Sequence, residues 1–72
     1  MDARERREYA AGLEAAANDE RSLRACGIGH IDEVVRMLEQ GDWYDAPYIK
    51  GYVSGLRVLA TDLRDNRLTV AS

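Results

Sequence analysis

A row of apolar side chains with helical spacing runs along the C-terminal half of the chain. The spacings are three, four, three and four residues, and the members are Ile49, Tyr52, Leu56, Leu59 and Leu63. An α-helix repeats about every 3.6 residues, so the row lies on one face, which Val53 and Ala60 widen into a stripe. We expect a long helix over about residues 45–66. Asp45 is the expected N-cap, because it places Pro47 in the first turn, where no intrahelical donor is lost.

Two further segments have helical patterns. Asp2, with Glu5 three residues later, is typical of a capping box and predicts a helix over about residues 2–18. A helix over about residues 31–40 is predicted by apolar side chains at three- and four-residue spacing, namely Ile31, Val34, Val35 and Leu38. Two glycines, Gly27 and Gly29, separate these segments. The pattern leaves open whether residues 2–26 form one helix or two.

The small number of core side chains limits the size and stability of the fold. After Met1 the 72 residues include seventeen large apolar residues and ten Ala. We therefore expect one all-α domain over residues 1–72, a small bundle of three helices. A chain of this length buries only about 60% of its unfolded surface, and such a core contributes roughly 3–5 kcal/mol. Oligomerisation is one of the few other sources of stability at this size, so we expect a homo-oligomer, in particular a homodimer.

Charge and composition argue against several functional classes. The net charge is −3, whereas a nucleic-acid-binding protein needs a basic face, so nucleic acid is a poor candidate partner. No apolar stretch is long enough to span a membrane and no signal-peptide pattern opens the chain, which predicts a cytoplasmic protein. One His, one Cys and one Lys form no catalytic motif, and we expect no enzyme activity, no cofactor and no metal site. Cys26 is expected to be a small buried residue.

Aromatic residues cluster where the long helix is expected to begin. Such side chains, apolar with a polar tip, are favoured where one end is buried and the other is wet. We interpret this cluster with its neighbouring lysine as a binding surface for another protein, formed by Trp43, Tyr44, Tyr48, Lys50 and Tyr52. In one alternative, Trp43 closes the end of the bundle and the tyrosines lean on the corner between the helix over residues 31–40 and the long helix. In another, the rings stack on a small nucleotide-like ligand that the protein sequesters at a subunit junction.

Two glycines inside the long helix predict a close helix–helix contact. Gly51 and Gly55 lie beside the apolar stripe, and together they cost roughly 1–2 kcal/mol relative to Ala. Such a cost is tolerated where another backbone must come close. The neighbour is either the helix over residues 2–18 or a second copy of the long helix. Val58 is not accounted for by the stripe, and we assign Gly51, Gly55 and Val58 to an oligomer interface.

The stretch LEQGDWYDAPYIKGYVSGLRVL, residues 38–59, combines a helix end, a Gly-Asp-Trp-Tyr corner and a long helix with a Gly-x-x-x-Gly-Leu-Arg segment. In this it resembles short helical proteins encoded by bacteriophages, over about a third of the chain. Several such proteins are accessory or host-takeover proteins that are small, acidic, oligomeric and non-enzymatic. They include anti-defence inhibitors and helical sponges for cyclic nucleotides. The resemblance implies a protein that occupies a surface of a host protein or sequesters a ligand.

Overall fold

The computed structural model describes the backbone of residues 2–71 and the side chains of residues 2–65. This part of the chain is helical throughout. In order, it contains α1 (Ala3–Asn18), α2 (Glu20–Cys26), α3 (Ile28–Gln40), a short 3₁₀ helix (Asp42–Asp45) and α4 (Pro47–Ala71). The predicted all-α class is confirmed, but the described residues form four α-helices instead of the predicted three.

The additional helix arises from a one-residue interruption at Asp19. α1 begins as predicted, with Asp2 as N-cap and its Oδ1 accepting a 2.8 Å hydrogen bond from the Glu5 N–H. Asp19 then separates α1 from α2, and its Oδ2 accepts a 3.0 Å hydrogen bond from the Tyr52 hydroxyl. Residues 2–26 therefore form two helices. The sequence left this point open because Asn and Asp weaken a helix without forbidding it.

A single glycine connects α2 to α3. Gly27 has φ 92° and ψ 168°, a conformation that side-chain-bearing residues rarely adopt, and α3 begins at the next residue. The predicted start at Ile31 is three residues late, because Gly29 continues the helix instead of breaking it. Ile28 packs against the core, as expected for a residue beside this turn. α3 ends at Gln40, as predicted, and Gly41 is its C-cap.

The long helix begins later and ends later than predicted. Asp45 belongs to the 3₁₀ helix and Ala46 is extended, so Pro47 is the first residue of α4 and the predicted Asp45 cap is wrong. Tyr44 consequently lies outside α4, whereas Tyr48 is the second residue of that helix. At the other end α4 runs to Ala71, beyond the predicted residue 66, because no glycine or proline follows to stop it.

α4 is the helix against which α1 and α3 pack. Tyr9 lies at Gly51 and Ala16 at Gly55, so α1 runs parallel to α4. Asp32 and Glu39 of α3 pair with Arg64 and Arg57 respectively, so α3 runs antiparallel to it. The core cluster between these helices consists of Ala16, Leu23, Ile31, Leu56, Leu59 and Ala60. The predicted stripe of α4 therefore does face the core.

Candidate binding surfaces

Glycines bring the backbones of α1 and α4 into direct contact. A Cβ added to Gly51 would overlap the Tyr9 carbonyl oxygen. One added to Gly12 would overlap the Tyr48 carbonyl oxygen and lie 2.7 Å from the Tyr52 nitrogen. Of the two neighbours that the sequence allowed at Gly51, the structure has α1 of the same chain. Gly51 is buried in this contact and does not reach the surface of the described fold.

The part that Gly12 of α1 plays in this contact was not predicted from the sequence. Gly12 and Ala16 are spaced by four residues, as are Gly51 and Gly55. A Cβ on Gly55 would lie 2.5 Å from the Ala16 Cβ, so the two small pairs face each other. Two pairs of small residues, each with a spacing of four residues and each in a different helix, are the sequence signal that predicts this contact.

An open groove of about 390 Å³ lies beside the α1–α4 contact. Its lining is mainly apolar along the middle, with charged side chains at one end: Leu13, Ala16, Ala17, Glu20, Arg24, Gly55, Val58, Leu59 and Asp62. Leu13 is 38% exposed and Val58 69% exposed. Of the predicted oligomer-interface residues, Gly55 and Val58 therefore line one groove, while Gly51 is covered by α1. We name this surface the α1–α4 groove.

Polar contacts cross the α1–α4 groove or flank it on both sides. Tyr9 lies one turn before Leu13 in α1, and Ser54 lies one turn before Val58 in α4. The Tyr9 hydroxyl donates a 2.7 Å hydrogen bond to Ser54 Oγ. At the other end Arg24 pairs with Glu20 at 2.7 Å and with Asp62 at 2.6 Å. Its hydrogen bonds to the Asp62 and Glu20 carboxylates raise the pKa of Arg24. Two carboxylates surround one guanidinium, so this end of the groove is locally acidic.

The predicted partner-binding residues are divided by the fold. Trp43 is 56% exposed and Tyr48 is 42% exposed, at the corner between α3 and α4. Tyr44, Lys50 and Tyr52 are half-buried. The alternative in which Trp43 closes the end of the bundle is not what the structure has. Its indole instead lies over Gly41, where an added Cβ would be 2.7 Å from Cε2.

Tyr52 is a packing residue of the α1–α4 contact and not a member of the exposed corner. Its hydroxyl donates to Asp19, and its ring packs against the core cluster. Burial, the hydrogen bond to Asp19 and the negative charge of Asp19 raise the pKa of Tyr52 to about 12. The exposed aromatic surface is therefore Trp43 and Tyr48, which we name the aromatic corner.

Two side chains are exposed that the sequence analysis did not assign to the surface. Cys26, predicted to be buried, is exposed, because it is the last residue of α2 and Leu23 occupies the inward position of that short helix. Met37 of α3 is 60% exposed and was not assigned to a surface. Its position off the Ile31–Leu38 apolar face is the signal that marks it as exposed.

The described residues contain no group of three or more His, Cys, Asp or Glu side chains arranged to hold a metal ion. Within the same part of the chain, no helix combines the length and hydropathy needed to cross a membrane. Comparison with protein-family models, with curated proteins and with solved structures finds no match in any of the three.

Proposed function

We propose that this chain is a non-catalytic binding protein that acts by occupying a surface of a partner protein. The observation that carries the proposal is the exposure of Trp43, 56% of whose surface is in contact with solvent. Tryptophan and tyrosine are enriched among the residues that dominate binding energy at protein interfaces. The indole lies against Gly41, where an added side chain would collide with it.

The proposal includes a homodimer and a class of partner. Leu13 and Val58, exposed in the α1–α4 groove, support self-association, since a thin core gains stability from burying them. The resemblance to short phage proteins implies that the partner is a host protein in the bacterial cytoplasm and that binding inhibits it, as an anti-defence protein does. The nucleotide alternative has less support, because the exposed rings of Trp43 and Tyr48 do not line the α1–α4 groove at which the subunits are proposed to meet.

Affinity capture with matched variants tests the partner-binding surface. The wild-type chain and three variants are immobilised and exposed to a bacterial lysate: Trp43→Ala, Tyr48→Ala and Met37→Ala. A protein retained by the wild type is then purified, and its dissociation constant for each variant is measured. Trp43→Ala and Tyr48→Ala are expected to weaken binding at least about tenfold with unchanged far-UV circular dichroism.

The Met37→Ala variant is the control, since Met37 is as exposed as Trp43 but lies on α3. It is expected to bind the partner like the wild type. Equal binding by all variants would contradict the assignment of the aromatic corner. Loss of helicity in Tyr48→Ala would show that Tyr48 supports the fold and would remove it from the surface.

A further inference from the structure

We infer that a second copy of the chain docks antiparallel across the α1–α4 groove, with Leu13 near the two-fold axis and Arg6 of each copy facing the acidic end of the other. The inference rests on the proposed homodimer and specifies which surface forms it and in which orientation. It is carried by the distribution of charge and side-chain size along the groove.

The side of the groove formed by α1 and α2 has a row of side chains at alternating four- and three-residue spacings. Its members are Arg6, Ala10, Leu13, Ala17, Glu20 and Arg24. The last four line the groove, and Arg6 and Ala10 precede them on the same helical face. Arg6 is exposed, and none of the ion pairs found among residues 2–65 involves it. The row is therefore basic where α1 begins and small or apolar in the middle.

The opposite end of the same surface is acidic. Glu20 and Asp62 flank Arg24, so two negative charges accompany one positive charge there. Val58 lies between the two ends on α4. Because α1 and α4 are parallel and Ala16 lies at Gly55, Arg6 lies near the level at which α4 begins. The midpoint between that level and Asp62 falls at about Gly55, and on the other side of the groove the midpoint between Arg6 and Glu20 falls at Leu13.

This polarity makes the surface complementary to itself in one orientation. In a two-fold dimer each contact occurs twice, and an antiparallel arrangement brings the Arg6 end of each copy to the Glu20 and Asp62 end of the other. A parallel arrangement would instead oppose Arg6 to Arg6. At the centre, Leu13 meets the same residue of the second copy, Val58 lies within one turn of the axis, and Ala10 and Ala17 leave room for the two helical layers to approach.

Sedimentation velocity over a concentration series tests the surface. Val58→Asp is expected to raise the dimer dissociation constant at least tenfold, since each dimer then buries two added charges. Met37→Asp, which alters an equally exposed apolar side chain on α3, is expected to leave it unchanged. Circular dichroism confirms the helicity of each variant. If a variant with aspartate at position 58 loses helicity, Val58→Ser replaces it, with a smaller expected increase of about threefold.

Charge reversal tests the polarity. Arg6→Glu is expected to raise the dissociation constant about three- to tenfold at low ionic strength, with the difference disappearing as salt is added. Arg4→Glu is the matched control. It changes the net charge equally on the same helix, but Arg4 is 89% exposed on the opposite face, where it pairs with Glu8.

Cysteine cross-linking tests the orientation, in a chain whose own thiol is removed by Cys26→Ser. The antiparallel dimer predicts that Leu13→Cys, near the two-fold axis, forms an interchain disulfide on mild oxidation and that Arg6→Cys does not. Cross-linking through position 6 would overturn the antiparallel orientation. A dimer whose dissociation constant is unchanged by Val58→Asp would overturn the assigned surface while leaving the homodimer intact. A monomer at every concentration would overturn both but not the partner-binding role of Trp43, which is measured separately.

Discussion

The glycines of this chain differ in how much space surrounds each Cα. Some lie in close contact with another helix, and others have no neighbour there. Gly12 and Gly51 lie against the backbone of a neighbouring helix, whereas a Cβ added to Gly29 would meet nothing within 4 Å. All three have helical backbone, so the intrinsic preference for alanine is similar at each. What differs is the steric cost of the added methyl group.

Replacing each of these glycines by alanine is expected to give changes of opposite sign. Gly12→Ala and Gly51→Ala should lower the free energy of unfolding by about 1–3 kcal/mol, because backbone atoms must move to admit the methyl group. Gly29→Ala should raise it by up to about 1 kcal/mol. Urea denaturation of the three variants measures this directly. Stabilisation by Gly51→Ala would contradict the close contact of α1 with α4.

Tyr52 is expected to make stability fall at high pH. Its pKa is about 12 in the folded chain against 10.0 for an ordinary tyrosine. Between these values the unfolded chain loses the Tyr52 proton while the folded chain retains it. The unfolded state then binds fewer protons, so the free energy of unfolding decreases as pH rises through this window. Below pH 10 the group contributes no pH dependence.

Absorbance titration of the phenolate identifies the group responsible for this behaviour. The last tyrosine proton to leave the folded wild-type protein should be absent from the titration of Tyr52→Phe. The same variant should show a weaker loss of stability over this pH range. If Tyr52→Phe keeps the late titration step, another tyrosine carries the raised pKa and the assignment to Tyr52 is wrong.

Among the helices, α2 and α4 differ most in how firmly they are packed. α2 has seven residues and one buried side chain, Leu23. It is tied to α4 through the exposed pairing of Arg24 with Asp62, and exposed ion pairs contribute little to stability. The middle of α4, by contrast, contains Val53, Leu56 and Ala60, all at most 3% exposed. Local opening is therefore expected to start at α2.

Native-state hydrogen exchange is expected to show this difference. Amides of α2 should exchange through local opening at a free energy well below that of global unfolding, while amides of residues 53–60 should require global unfolding. Leu23→Ala should accelerate exchange in α2 more than in α4. Exchange of α2 and α4 at the same free energy would show instead that the bundle opens only as one unit.

At the scale of the whole molecule, a thin core makes each fully buried side chain important. Leu56→Ala is expected to cost about 2–5 kcal/mol, which approaches the roughly 3–5 kcal/mol available to a chain of this size. The variant should be largely unfolded by circular dichroism. Val58→Ala, where the side chain is 69% exposed, should change the stability of the monomer by no more than about 0.5 kcal/mol. Similar losses in both variants would contradict the separation of core from surface.

Self-association is expected to make the stability depend on protein concentration. Only folded chains associate into the dimer, so the melting temperature should rise as the protein concentration increases. Val58→Asp should remove most of this dependence, since it acts on the dimer and not on the core. A melting temperature independent of concentration in the wild type would argue that the dimer contributes nothing to stability.

The helical class, the apolar stripe of α4 and the first residue of α1 were predictable, because each depends on residues close together in the sequence. Periodicity places Leu56 and Leu59 on one face, and Asp2 reaches the Glu5 N–H only three residues away. The predicted start of α3 was three residues late, because residue type alone does not distinguish a glycine that continues a helix from one that ends it. Gly27 and Gly29 differ only in backbone conformation.

Contacts between distant residues were decided by the tertiary structure alone. The sequence allowed α1 or a second copy of α4 beside Gly51, and only the packing of α1 placed the Tyr9 carbonyl there. It also grouped Tyr52 with Trp43, whereas folding turned Tyr52 toward Asp19, thirty-three residues away, and left Trp43 exposed. Local spacing determines which face of a helix a residue occupies. Which neighbour covers that face depends on how the helices pack, and local sequence patterns do not determine that packing.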